Sequence, residues 1–255
     1  MLSTFGIENP DSSELSGRGR GCGDSIRIRA VVPFLDEEER LGGLLEQLRD
    51  HGIDYLVAVD GGSQDRSSQI ATERADEVRE EPGGLARQLN HGAEGAHEDV
   101  LFFVYADSVL PAKLRVTIAK ALEDPECVGG AFPLQLEDDR ALYRWISRGA
   151  NLRTRLGIGP FGDQGIFVRR TSFTAIGGYR SDQILEDFDL VSRLRSVGRF
   201  RVVGSPIRSS TRRWHRDGVL STTAQHWWAL GRHLAGIRRD SETGSSLDQV
   251  RTGGR

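Results

Sequence analysis

Tyr55-Leu56-Val57-Ala58-Val59-Asp60-Gly61-Gly62-Ser63-Gln64-Asp65 reads as a short apolar strand that ends on a carboxylate, turns through two glycines and enters a helix. Further along, Val100-Leu101-Phe102-Phe103-Val104-Tyr105-Ala106-Asp107-Ser108 places a second carboxylate just past a second apolar run. In an open α/β sheet, groups just outside the carboxyl ends of the strands face the ligand crevice. Two such carboxylates suit a site that grips a nucleotide, with a metal ion as a further reading. A third acidic pair, Glu186-Asp187, heads an apolar-periodic segment and could supply a base.

Working outward, strand and helix patterns alternate. Ile26–Val32 is a strand pattern stopped by Pro33, and Asp36 with Glu39 has the spacing of a capping box. Leu41, Leu44, Leu45 and Leu48 share one helical face. Helices are expected over Ser67–Ala75, Leu85–Ala96 and, opened by Pro111, Ala112–Leu122; a short strand is expected over Ala75–Arg79. This rhythm predicts an α/β fold, a mostly parallel Rossmann-like sheet with helices on both faces. Beyond residue 125, strands are expected at Val128–Leu136, Gly165–Val168 and Phe200–Val203. Helices are expected around Arg140–Leu156, Leu185–Ser196 and Val219–Ile237.

Residues 25–239 therefore read as one domain, with a nucleotide half over about 25–125 and a half completing the site over 126–239. Residues 1–24 and 240–255, rich in Gly, Ser and charge, read as a disordered leader and tail.

The composition, 37% hydrophobic and 28% charged, is that of a globular protein, and a net charge of −3 argues against a general nucleic-acid binder. Cys22 and Cys127 are the only cysteines, and one lies in the glycine-rich leader, so a structural disulfide is not expected. With no apolar run near ~18 residues and no secretory h-region, the expectation is cytoplasmic. The segment Ala224–Arg239, with Trp227, Trp228 and several basic groups, either packs on the domain or meets the inner face of the membrane; packing is the preferred reading.

Val31-Val32-Pro33-Phe34-Leu35-Asp36-Glu37-Glu38, Val59–Asp65, Tyr105-Ala106-Asp107 and Glu186-Asp187 together resemble the signature series of inverting family 2 glycosyltransferases of the GT-A fold. Gly162–Arg170 and Ile176-Gly177-Gly178-Tyr179 are similar to later segments of that superfamily. The Asp-Gly-Gly-Ser and Ala-Asp-Ser forms further resemble a bacterial branch labelled arsenosugar-biosynthesis or carotenoid-acid glycosyltransferases. The resemblance implies transfer of a sugar from a nucleoside-diphosphate donor to a small-molecule or lipid acceptor.

On that reading Asp187 is the general base and Glu186 orients it or the acceptor. Pro33, Glu37, Asp60, Gly61, Gly62, Arg87, Asp107 and Asp163 contact the donor. Asp107 holds a divalent metal, Mn²⁺ or Mg²⁺, and His215 is a further candidate ligand. Such an ion offsets the diphosphate charge and stabilises the leaving group. Gly61 and Gly62 let backbone approach the ligand closely, and Arg87 could pair with the diphosphate. The chain departs from the family pattern twice: Gly61 stands where a second acid is common, and Tyr105 stands at the first position of Asp-x-Asp.

Each residue also has a plain structural explanation. Asp60 and Asp65 suit a tight turn and a helix cap, Asp107 a turn before Pro111, and Glu186-Asp187 a helix dipole. Arg87 suits a solvated helix face and His215 the surface. Gly157-Ile158-Gly159-Pro160-Phe161-Gly162 matches a dinucleotide fingerprint by spacing but lacks its strand–turn–helix context. A non-catalytic sugar-nucleotide-binding protein remains an alternative, as does a nucleotidyltransferase, although the acidic run after Pro33 argues against the latter.

Overall fold

The computed structural model describes residues 26–210 apart from 139, 156–158, 161, 182 and 184. His215, the Trp227-Trp228 segment and the expected leader and tail lie outside the described residues. In chain order the elements are β1 (Ile28–Phe34), α1 (Leu41–Asp50), β2 (Tyr55–Asp60), α2 (Ser67–Arg74), β3 (Glu77–Glu80) and α3 (Leu85–Ala93). Next come β4 (Val100–Phe103), β5 (Ser108–Val109), α4 (Leu114–Ala121), β6 (Cys127–Ala131), β7 (Leu134–Leu136) and α5 (Ala141–Arg155). The last are β8 (Ile166–Arg169), α6 (Arg170–Ala175), α7 (Glu186–Val197), β9 (Arg199–Val202) and β10 (Ile207–Ser209).

A seven-stranded sheet runs in the order β3-β2-β1-β4-β8-β6-β9, and a three-stranded sheet in the order β5-β10-β7. In the large sheet β8 lies antiparallel to both β4 and β6, while the other pairings are parallel. The expected mostly parallel α/β architecture is thus the one formed.

Period-two alternation sorts each central strand between two cores. Ile28, Ala30, Val32 and Phe34 pack with Leu41, Leu44, Leu45 and Leu48 on one face. Val31, Val57, Leu101 and Phe103 pack with Leu89, Leu190 and Leu194 on the other. Burial on both faces explains why β1 and β4 are nearly continuous apolar runs.

Three expectations are corrected. Pro33 does not stop β1, which runs on to Phe34. The β4 ladder ends where Phe103 meets Val31, and Val31 accepts the N–H of Val104. Pro33, two residues on, faces the same side beyond that end, so its missing N–H removes no rung. Asp36 and Glu39 form no capping box: α1 begins at Leu41 with no side-chain cap. Instead Asp36 accepts the Gln64 N–H at 2.7 Å, while Glu37 N–H donates to Ser67 Oγ at 2.8 Å and Glu38 N–H to Asp65 Oδ2 at 3.1 Å. The loops after β1 and β2 satisfy each other's backbone groups, and the acidic run is spent on that. Finally, Val128–Leu136 is not one strand, because Phe132 and Pro133 separate β6 from β7 and send them to different sheets.

One charge pair is buried in this framework. Arg29 Nε lies 2.7 Å from Glu98 Oε2, with the two side chains 5% and 3% exposed, and the remaining guanidinium nitrogens donate to the carbonyls of Glu94 and Gly95. Removing one partner strands a buried charge. Glu98→Ala is expected to cost about 3–5 kcal/mol, read as a lowered urea midpoint. An Arg29→Met, Glu98→Leu double variant should recover most of the loss. A single-variant cost below about 1 kcal/mol would mean that water reaches the pair.

Candidate functional site

The carboxyl ends of β1, β2 and β4 open on one edge of the sheet, with β1 between the other two. At a strand spacing of about 4.8 Å, Asp60 and the turn after β4 lie roughly 10 Å apart across the sheet. That span suits a nucleoside at one end and a diphosphate at the other.

Asp60 is only 4% exposed. Its Oδ1 accepts Gly62 N–H at 2.9 Å, Ser63 N–H at 2.8 Å and Ser63 Oγ at 2.7 Å, while Ser68 Oγ donates to Oδ2. Burial pushes its pKa up, but these hydrogen bonds from Ser68, Ser63 and Gly62 outweigh it and hold the carboxyl below its usual value. Asp60 therefore organises the turn. Gly62 sits at φ +100°, where a side chain is strained but space is open. A Cβ on Gly61 would lie 2.4 Å from Gln88 Nε2. The turn presents bare backbone at the crevice.

Pro33 is buried in β1 and Glu37 half-buried in the loop that follows. Arg87 lies in the first turn of α3, mostly exposed, with its guanidinium 4.0 Å from Glu81. Asp107 is half-buried in the turn between β4 and β5.

Asp187 is a buried and strongly perturbed acid. It opens α7, is 7% exposed, and its Oδ2 accepts the Gly162 N–H at 2.8 Å and the Tyr105 hydroxyl at 3.1 Å. Its Oδ1 is buried with no hydrogen-bond partner. Burial, then the charge of Glu186, raise its pKa to about 7, against the lowering effect of the Gly162 and Tyr105 hydrogen bonds; Asp163 raises it further. A general base works best with a pKa near the working pH.

Two tyrosines line this carboxylate. Burial and the charges of Asp187 and Glu186 push the Tyr105 and Tyr179 phenols well above their usual value, so both keep their protons. The Tyr179 hydroxyl feels the Asp187 charge but falls short of a hydrogen bond with it. Tyr179 is fixed by its backbone, since Asn90 on α3 donates to its carbonyl at 2.8 Å and accepts its N–H at 2.9 Å. Its ring packs edge-on against Phe103, 5.2 Å between centroids.

The structure thus brings Tyr105, Asp163, Glu186 and Asp187 together, with Asp107 two residues beyond Tyr105 in the same turn. Sequence reasoning missed Tyr105, Tyr179 and the Gly162 N–H as the cradle of Asp187. The available signal was an aromatic hydroxyl at the place of an expected acid.

Among the described residues no three His, Cys, Asp or Glu side chains converge, and His215 lies outside them. An ion held by Asp107 and a substrate diphosphate does fit, since hard cations bind through one or two carboxylates plus phosphates and water. No helix among the described residues is long and apolar enough to cross a membrane.

Residues 30–177 match the family described as Glycosyl transferase family 2. No curated protein matches the sequence closely enough to count as a relative. Among solved structures, a mannosyltransferase from Pyrobaculum calidifontis, in complex with GDP-Man and Mn²⁺, superposes with a TM-score of 0.63 at 17% identity over 84% of this chain and 64% of that one. Mannosyl-3-phosphoglycerate synthase from Rubrobacter xylanophilus gives 0.58 at 16% identity, over 86% and 78%. Glucosyl-3-phosphoglycerate synthase from Mycobacterium tuberculosis, in complex with Mn²⁺, UDP and glucosyl-3-phosphoglycerate, gives 0.53 at 17% identity, over 81% and 80%. The chain spans less than two thirds of the Pyrobaculum mannosyltransferase's length. At these identities the likeness carries the fold, which is GT-A-like.

Proposed function

Because the chain belongs to glycosyl transferase family 2, we propose that it moves a sugar from a nucleoside-diphosphate sugar to an acceptor hydroxyl or carboxyl, with inversion. The observation that carries this reading is the buried Asp187 carboxyl, held near 7 by burial and Glu186 and oriented by Tyr105 and Gly162. For a hydroxyl acceptor, Asp187 takes the proton while the oxygen's electron pair forms the new bond to the anomeric carbon. The bond from that carbon to the phosphate oxygen breaks, and the nucleoside diphosphate leaves with the electron pair. One base and no covalent intermediate suffice. A carboxyl acceptor, as the narrower branch resemblance suggests, attacks already ionised and needs no proton removed.

The backbone of Gly61 and Gly62 would meet the nucleoside, in a turn held by Asp60. Pro33 and Glu37 would flank it, and Asp163 would lie on the sugar side near the base. Arg87, exposed beside Glu81, would turn towards the diphosphate. A divalent ion, Mn²⁺ or Mg²⁺, would be held by Asp107 and would offset the charge developing on the leaving diphosphate.

The test is a thermal-shift panel of UDP-, GDP-, dTDP- and CMP-sugars, each with and without Mn²⁺. One nucleotide class is expected to raise the midpoint in a metal-dependent way, a hundredfold excess over Kd being worth about 2.7 kcal/mol. No shift with any donor at millimolar concentration would sink the reading.

With Asp107 as the one carboxylate assigned to the ion among the described residues, Mn²⁺ alone is expected to bind poorly and to bind well once the nucleotide is present. Asp107→Ala should then remove most of the Mn²⁺-dependent part of donor binding, seen by calorimetry, while metal-free nucleotide binding stays within about threefold. Undiminished metal dependence would place the ion elsewhere.

A further inference from the structure

Of the six large hydrophobic side chains that stand exposed among the described residues, three lie on α5: Leu142, Trp145 and Leu152, at 51%, 69% and 59% exposure. Their spacing puts them on one helical stripe. Gly149 falls in the same stripe, and a Cβ there would meet nothing within 4 Å, so none of the described residues closes over it. The opposite face of the helix is spent on packing, with Tyr143, Ile146 and Ala150 against Leu134 and Leu136 of β7. The stripe is thus surplus to the core.

Its charge is one-sided. The sequence of α5 contains four arginines and no acid, in a chain whose acids outnumber its Lys and Arg by 37 to 34. Exposed Arg144 and Arg148 follow one border of the stripe, and the Arg148 guanidinium lies 5.7 Å from the Trp145 ring centre. Tryptophan beside arginine on a helix with one apolar stripe is the composition that lies in a membrane interface, rings among the headgroups and guanidinium groups on the phosphates.

We propose that the outer face of α5 docks on an anionic lipid surface, with Leu142, Trp145 and Leu152 entering the interface and Arg144 and Arg148 meeting the headgroup phosphates. Charge selects this occupant over two others. A second copy of the chain would bring the same arginines against themselves. Residues 224–239, the other Trp-rich stretch, carry Arg232, Arg238 and Arg239 and no acid, and so would also repel α5. The geometry gives the docking a consequence: Thr154, in the last turn of α5, donates to Gln164 at 3.1 Å, two residues beyond the Gly162 N–H that holds Asp187. A surface lying on α5 therefore lies beside the turn that cradles the base.

The test is co-sedimentation of the full chain with vesicles of phosphatidylcholine alone and of phosphatidylcholine mixed with phosphatidylglycerol. Binding is expected to the mixed vesicles only and to weaken as salt is raised. A Leu142→Gln, Trp145→Gln, Leu152→Gln variant should bind at least about tenfold more weakly, and an Arg144→Gln, Arg148→Gln variant should lose most of the salt dependence. These side chains are exposed, so an unchanged thermal midpoint verifies that each variant is folded. Three results would overturn the proposal: no binding to anionic vesicles; binding that the triple variant leaves intact, which moves the contact to another part of the chain; or self-association that the triple variant abolishes, which makes the stripe a dimer surface. None of these outcomes depends on whether the chain transfers sugar.

Discussion

Asp187→Asn is expected to abolish transfer and, at neutral pH, to make the protein more stable. The first half follows from removing the proposed base, a loss of about 10²–10⁴-fold in kcat. The second follows from linkage. Burial and the charge of Glu186 push the folded carboxyl up to about 7 from its ordinary 3.8, so between those values the folded state holds a proton that the unfolded chain has released. Stability falls as pH rises through that window and levels off above it. By about pH 8 the ionised carboxylate has cost the fold up to about 4 kcal/mol. Asparagine is neutral throughout. Its oxygen can accept the Gly162 N–H and the Tyr105 hydroxyl, and its amide nitrogen takes the place of the unpartnered Oδ1. The variant should therefore melt higher than the parent at pH 8, and the gap should close towards pH 4. Equal melting at both pH values would remove the argument for a strained base, and transfer within about threefold of the parent would remove Asp187 from the mechanism.

This site shows which part of the molecule its sequence discloses. Strand-end acids are local facts: an apolar run of five residues with an Asp directly after it, or three residues on, places Asp60 and Asp107 without any tertiary information. The sheet that carries them follows from the same alternation, so β1 to β4 and their helices fall close to their expected places. What escapes is built from contacts between distant residues. Tyr105 reads as the loss of an acid, because nothing near it reveals that its hydroxyl reaches Asp187, 82 residues away. Asp36 reads as a helix cap because the spacing to Glu39 is right, yet the Gln64 amide across the cleft claims it first. The small sheet escapes for a different reason. β5 and β10 have two and three residues, too few for periodicity to rise above loop composition. Pro133 divides β6 from β7 in what otherwise reads as one run.

Gly162→Ala should disable the site with the addition of a single methyl group. A Cβ at that position would lie 2.0 Å from the Tyr105 hydroxyl oxygen and 2.2 Å from its Cζ, well inside contact distance. The clash falls on a rigid ring hydrogen-bonded to Asp187, so relief requires either the ring or the 162–164 turn to move. Either motion costs packing, about 1–3 kcal/mol, and breaks a hydrogen bond to Asp187. Both of those bonds lower the carboxyl's pKa, so their loss pushes it further above 7 and leaves less of the ionised base at neutral pH. The acid limb of the kcat/KM profile should move to higher pH, and kcat should fall by about 10² because the base is also misaimed. Tyr105→Phe separates the two effects. It keeps the ring and its packing but removes the donor, so its pH limb should rise while its unfolding free energy stays within about 0.5–1.5 kcal/mol of the parent. If Gly162→Ala melts and turns over like the parent at every pH, the ring does not lie over the glycine, and the cradle drawn around Asp187 is wrong.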